Sequence, residues 1–402
     1  MKKTNSNTFA FTHLIQLGMA MMLLFGLSAI SGKPVQAQAS TLNPAPPATP
    51  VKLIFIHHST GENWLRDGYG NLGATLNQNN YFVSDTNYGW GPASIGDRTD
   101  IPNWTEWFSS ASTPTYMAAL YTESGQHSSY TRTLANPGGE NQIIMFKSCF
   151  PNSALSGNPT DPPSASGWLT VGHAKYVYNQ ILQYFGAHPE KLFIVITAPP
   201  LQDGTYAANA RAFNEWLMNN WLTENNYTGT NVAVFDFYNV LTGPNNHHRY
   251  YNGAIEHVFT TTPINNTLYY PSGDDHPSAV GSQKATTEFV SLLNIFYHRW
   301  QAGSAPKDIT SFSFTNPAVT GVITGTYILV NVPVGTDVSA LIANFTTTGI
   351  SVNIGGTLQN SGITANDYTS PVVYTVTASD GSTKTYTVIL SMYQLFLPLV
   401  VR

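Results

Sequence analysis

Four short stretches of the 402-residue chain carry side chains that could do chemistry together. Ser59 ends the run Leu53-Ile54-Phe55-Ile56-His57-His58-Ser59. A serine hydroxyl becomes a useful nucleophile only when a base takes its proton and N–H donors receive the oxyanion that forms. Candidate donors lie in Asn87-Tyr88-Gly89-Trp90-Gly91-Pro92, where Gly89 or Gly91 lets the backbone approach a ligand. A further donor is the amide of Asn152 in Lys147-Ser148-Cys149-Phe150-Pro151-Asn152-Ser153, which adds no charge. A base is offered by Ser272-Gly273-Asp274-Asp275-His276-Pro277-Ser278, since a histidine beside carboxylates is oriented by them and stabilised when protonated. Each stretch alone has a plainer use. Ser59 or Asn152 would cap a helix, the glycines would make a turn, and His276 would be a surface residue beside acids.

The elements that must position these residues are read from hydrophobic patterning. Leu53–Ile56, Ile143–Phe146, Leu192–Ile196 and Val232–Phe237 are short apolar runs of the kind buried on both faces of a parallel sheet, and Tyr81–Thr86 is a weaker strand. Ala174–Phe185, Ala207–Leu222 and Ala279–Trp300 read as helices. This alternation predicts an α/β domain over 51–302 with helices on both faces of the sheet. Ser59 then falls on a strand-to-helix turn at the carboxyl edge, where open α/β sheets bind ligands.

Ser after the first strand, Gly after the second, Asn after the third and a late Asp/His-Pro before the last helix is an order that resembles the SGNH (GDSL-like) hydrolase superfamily of esterases and lipases. The resemblance spans residues 51–302. It implies a flavodoxin-like three-layer α/β/α sandwich that hydrolyses esters through an acyl-enzyme, with no metal or other cofactor. It also implies Ser59 as nucleophile and as an oxyanion donor through its own N–H, Gly91 (or Gly89) and Asn152 as the other donors, and His276 as base. Two positions depart from the family pattern. His57-His58-Ser59 stands where the family has Gly-Asp-Ser, and Gly273 stands three residues before the His, where the family has Asp. Asp274 is the nearest substitute: two residues ahead of His276 on a Gly-led loop, it can turn back under the ring, whereas Asp275 is the direct neighbour and projects away.

Residues 1–39 begin with Lys2 and Lys3, pass into an apolar core from Met19 to Ile30 and end at Ala37-Gln38-Ala39, the pattern of a secretory signal peptide, with an uncleaved anchor as the alternative. The net charge is −5, and these first residues hold lysines but no acid, so the remainder is more acidic still. Such a chain has no electrostatic reason to bind nucleic acid or an anionic membrane. With 42% hydrophobic and only 10% charged residues it builds cores rather than staying disordered. Cys149 is the single cysteine, which excludes an internal disulfide and a Cys-based zinc site.

Residues 40–50 form a Pro-rich linker and 303–308 a second one. Residues 309–391 are nearly uncharged and rich in Thr, Val and Gly, with period-2 runs at Tyr327–Val332 and Val373–Ala378 and an Asp380-Gly381 hairpin signal before Lys384–Leu390. They are expected to form a small all-β immunoglobulin-like sandwich, similar to the immunoglobulin-like or cadherin-like modules of bacterial surface proteins. The apolar tail 392–402 is too short to span a bilayer and reads as an edge strand or a surface-retention signal. The expectation is therefore a secreted or cell-surface hydrolase acting on a small-molecule or glycan ester, with surface association through the C-terminal module and tail. Three rivals stand beside it. Cys149 could be a nucleophile paired with His276, and His57-His58 or His247-His248 with Asp236 could bind a metal. The third rival is a non-catalytic surface or carbohydrate-binding protein in which Trp64, Trp90, Trp104 and Trp107 stack on sugar rings.

Overall fold

The computed structural model describes residues 42–260, 266–304, 306–378 and 383–393. The expected signal peptide, the Asp380-Gly381 turn and the tail from residue 394 onward lie outside the described residues.

Five parallel strands form the central sheet: β1 (Val51–Ile56), β2 (Tyr81–Thr86), β3 (Ile143–Lys147), β4 (Leu192–Ile196) and β5 (Val232–Phe235), in the order β2-β1-β3-β4-β5. All six residues of β1 are buried, because alternate side chains enter different cores. Ile54 and Ile56 pack with one helical layer and Leu53 and Phe55 with the other. Each fully buried Leu, Ile or Phe contributes about 1.5–3 kcal/mol, which is why a strand of this composition belongs in the middle of the sheet. The described helices are α1 (Ser59–Leu65), α2 (Leu72–Gln78), α3 (Trp104–Ser109), α4 (Thr113–Thr122), α5 (Val171–Ala187), α6 (Ala207–Asn219), α7 (Trp221–Glu224), α8 (Phe237–Leu241) and α9 (Ala279–Ser304). Residues from α3 to α7 build the first layer; α1, α2, α8 and α9 build the second. The result is an α/β/α sandwich with flavodoxin-like strand order, as expected. Its switch point falls between β1 and β3, where the chain turns back across the sheet.

Several boundaries differ from the sequence reading. The strand expected over 232–237 stops at Phe235, because the Asp236 carboxylate accepts the Asn239 N–H and caps α8. Helix α9 continues past Trp300 to Ser304, so the second linker begins later than residue 303. Gly303 permits this: a Cβ there would lie 1.8 Å from Thr230 Oγ1. The Pro-rich segment before β1 is held against the domain, with Asn294 Nδ2 donating to Pro44 O at 2.8 Å and Asn80 Nδ2 to Pro47 O at 2.8 Å.

A two-stranded hairpin, β6 (His247–Tyr251) and β7 (Ala254–Val258), follows α8. Beyond α9 every regular element among the described residues is a β-strand. One sheet has the order β10-β11-β17-β16-β13-β14, from β10 (Val322–Thr324), β11 (Tyr327–Pro333), β13 (Ser351–Ile354), β14 (Thr357–Leu358), β16 (Val372–Thr377) and β17 (Thr383–Tyr393). The other has the order β15-β12-β8-β9, from β8 (Ile309–Phe314), β9 (Val319–Thr320), β12 (Leu341–Thr347) and β15 (Ala365–Asn366). The two share a core that includes Phe312, Val330, Tyr374 and Val388. β16 and β17 pair antiparallel, whereas β11 and β17 pair parallel. β17 runs to Tyr393, two residues past the expected boundary, because Met392 and Tyr393 pair with Val332 and Pro333.

Candidate active site

The residues singled out after β1 and before α9 meet at the carboxyl edge of the sheet. Ser59 opens α1 directly after β1, and His276 lies on a loop drawn closed by Ser272 N–H to His276 O at 2.9 Å and Ser278 N–H to Tyr270 O at 2.6 Å. Tyr69 Oη anchors that loop through Pro277 O at 2.8 Å. His276 Nε2 is 3.0 Å from Ser59 Oγ across 217 residues of sequence. On the other side of the ring, Nδ1 is 3.0 Å from Asp274 Oδ2, and the His276 N–H reaches Asp274 Oδ1 at 2.8 Å. With Nδ1–H donating to the carboxylate, Nε2 is left to accept the serine proton. Hydrogen bonds from the His276 amide and from Ser272 hold the Asp274 carboxyl below the ordinary range, so it stays charged. Asp275 is turned away and accepts the Gln202 N–H at 2.8 Å.

The two candidate oxyanion donors are differently placed. Gly89 spends its N–H on Asp97 Oδ1 at 2.7 Å, whereas the Gly91 N–H finds no acceptor among the described residues. Gly91 has φ 77°, and it is followed by Ala93 and Ser94 at φ 53° and 50°, a loop conformation that costs side-chain-bearing residues about 1–3 kcal/mol each and is typical of functional turns. Asn152, 1% exposed, accepts the Ile101 N–H at 2.7 Å and gives one of its own N–H groups to Asp100 at 2.7 Å. Its amide thus braces the turn before α3, and only its second N–H is open to a substrate oxygen.

Both histidines ahead of Ser59 are part of the frame. His57 is fully buried, with Nε2 3.1 Å from Asp85 Oδ2. Burial pushes the Asp85 carboxyl up, but His57, Ser128 and the His127 amide together hold it below the ordinary range. His58 is held at both ring nitrogens, by Gly96 O at 2.5 Å and Thr99 Oγ1 at 2.9 Å, and burial lowers its pKa. The exposed ring of Tyr88 stacks on it at 3.9 Å. None of this was legible in the His-His pair itself. A buried acid one residue before the end of β2 is the one signal that a partner was needed.

Among the described residues no three His, Cys, Asp or Glu side chains gather as a metal site. Asp236 faces His257, 2.9 Å away, and His247 faces Glu288, at 2.8 Å. Cys149 Sγ lies 3.4 Å from Ser59 Oγ, whereas His276 Nε2 is turned to the serine. The expected sugar-stacking tryptophans are core residues instead: Trp64, Trp104 and Trp107 are 0% exposed and Trp90 8%. Each indole N–H has an internal acceptor, Thr286, Glu123, Ser148 and the Arg98 carbonyl for Trp64, Trp90, Trp104 and Trp107 respectively. A large aromatic with a satisfied N–H gains most by burial, and that outweighs any rim position.

Residues 309–390 match the family model described as SGBP, N-terminal. Among solved structures, a candidate glycoside hydrolase from Bacteroides thetaiotaomicron is 38% identical over 23% of this chain, with a TM-score of 0.19. The match spans 26% of that protein, about a quarter of its length. A family two carbohydrate esterase from Cellvibrio japonicus is 14% identical, over 63% of each chain, with a TM-score of 0.28. A carbohydrate esterase whose active site is described as having divergent catalytic and non-catalytic binding functions is 12% identical, over 64% of this chain and 68% of that one, with a TM-score of 0.31. No curated protein matches the chain. No helix among the described residues is long and apolar enough to cross a membrane.

Proposed function

We propose that the protein is a secreted serine ester hydrolase of the SGNH type, working through an acyl-enzyme on acyl or acetyl esters of carbohydrates. The observation that carries this reading is the unbroken line Ser59 Oγ, His276 Nε2, His276 Nδ1, Asp274 Oδ2, with both links at 3.0 Å. The match of residues 309–390 to a glycan-binding domain family supports a glycan as the alcohol part. The charged start and apolar stretch of residues 1–39 support export.

In this mechanism Ser59 Oγ attacks the ester carbonyl carbon while its proton passes to His276 Nε2. The carbonyl π pair moves onto oxygen, which is received by the N–H groups of Ser59 and Gly91 and the second N–H of Asn152. Asp274 holds the ring and stabilises the imidazolium. The bond to the alcohol oxygen then breaks, the alcohol leaves with the proton from His276, and the acyl group stays on Ser59. Water, deprotonated by His276, attacks that ester, and the acid departs as Ser59 recovers its proton.

The test is a panel of chromogenic esters and acetylated glycans assayed with the full chain and with Ser59→Ala. Loss of a triad member costs on the order of 10⁴-fold or more in turnover, so the variant is expected to be folded and nearly inactive. A Ser59→Ala protein that turns over as fast as the parent overturns the reading.

A further inference from the structure

Directly beneath the nucleophile turn lies a charge that this mechanism leaves unused. Lys147 ends β3, and its side chain is 0% exposed. Its ammonium donates to Thr60 Oγ1 and to Ser148 O, the latter at 3.1 Å. Among the described residues no carboxylate comes within ion-pair distance of it, and burial holds its pKa down at about 8. An ammonium moved out of water without a counter-ion is expensive, by several kcal/mol even after relaxation, so a lysine here must be compensated by something that is negative at least part of the time. Two neighbouring groups qualify. One is the Cys149 thiol, whose Sγ is 3.5 Å from the same Thr60 hydroxyl. The other is the oxyanion that forms on a substrate carbonyl attacked by Ser59, the residue before Thr60, whose Oγ lies 3.4 Å from that sulfur. Burial raises the thiol pKa, but the Lys147 charge draws it down below its usual value, so the two hold each other. The oxyanion enters because the Lys147 bond to Thr60 fixes the first turn of α1, the turn that carries both the Ser59 hydroxyl and the Ser59 N–H.

We propose that Lys147 is a positioning residue for ester hydrolysis: a fully buried positive charge that sets the Ser59 turn through Thr60 and offsets the negative charge developing on the substrate carbonyl oxygen. This rests on the esterase reading. A fixed charge in a water-excluded site acts on the transition state more than on the neutral ester, so it raises kcat and leaves KM alone.

The experiment compares the full chain with its Lys147→Met variant, using 4-nitrophenyl acetate as substrate and methylboronic acid as inhibitor, since the boronate forms a tetrahedral anion on a serine. The expected result is a kcat lower by about 10–100-fold, somewhat less than for a direct oxyanion donor, with KM within about threefold and boronate affinity reduced by the same factor as kcat. A folded variant with unchanged kcat and boronate affinity overturns the proposal, as does one that loses activity through KM alone. If Lys147→Met does not fold, Thr60→Val cuts the link while keeping the shape; it is expected to lower kcat with KM unchanged, and wild-type kinetics overturn the proposal. The Lys147→Met effect should persist in a Cys149→Ala background. An effect that vanishes there means the charge serves the thiol and the oxyanion role is wrong. A wild-type protein that neither hydrolyses esters nor binds the boronate overturns the esterase reading and this inference with it, whereas an active wild type matched by Lys147→Met overturns this inference alone.

Discussion

Asp274 grips His276 twice, at the ring Nδ1 by 3.0 Å and at the backbone N–H by 2.8 Å, so that two residues of sequence make a closed ring around one orientation of the imidazole. The carboxylate is 65% exposed, and its contribution is therefore one of geometry and charge at the site rather than of stability.

Asp274→Asn is expected to lower turnover far more than Asp275→Asn, because Asp275 serves only the Gln202 N–H. Kinetics of the two variants check this, and equal small losses would strike Asp274 from the site.

Asn152 is expected to show two separable roles. Asn152→Ala should lower kcat by about 10²–10³-fold through the lost oxyanion donor, and also lower stability by about 1–3 kcal/mol because the Ile101 N–H and Asp100 lose their buried partner. Asp100→Ala removes only the structural half, so its melting temperature should fall while turnover stays within a few-fold. Equal loss of turnover in both variants would make Asn152 a brace and nothing more.

Two buried carboxylates are expected to contribute stability that is lost in acid. Burial pushes Asp85 and Asp236 up, but hydrogen bonds from His57 and Ser128 to the first, and from His257 and the Asn239 amide to the second, hold both below the ordinary range. A folded-state pKa below the unfolded one stabilises above the unfolded value of about 4 and is lost as pH falls from there through the folded value. Asp85→Asn should therefore melt lower than the parent at pH 7, and the gap should close below about pH 4. Thermal melts at both pH values measure it; a pH-independent gap would contradict the assignment.

The α/β unit is expected to work without the β module. Helix α9 reaches Ser304, so a fragment of residues 42–304 keeps the Trp300 and Gly303 contacts and should hydrolyse small soluble esters at the full rate. An insoluble or inactive fragment would make residues 309–393 part of the catalytic unit.

What was legible in the sequence follows from what periodicity encodes. The runs at 53–56, 143–146 and 192–196 are apolar at every position, and only a strand covered on both faces buries all of them, so the sheet and its carboxyl edge could be read directly. The order Ser59, Gly91, Asn152, His276 was legible only as a resemblance to the SGNH (GDSL-like) hydrolases. Polar groups whose meaning depends on a distant partner were not legible. Lys147 reads as the start of a loop, and only the fold shows that it is buried under Thr60. Asp85 looks like an ordinary strand-end acid until His57 is brought to it. The tryptophans misled for the opposite reason, since composition does not distinguish an indole aimed at solvent from one whose N–H is already met inside.

The central claim, that Ser59 is the activated nucleophile, is tested most directly by treating the full chain with diethyl 4-nitrophenyl phosphate and locating the adduct by peptide mass spectrometry. The expected result is one diethylphosphoryl group per chain on the peptide carrying Ser59, with activity lost in step and no labelling in His276→Ala. A modified Cys149, or a protein that stays active and unlabelled, would contradict it.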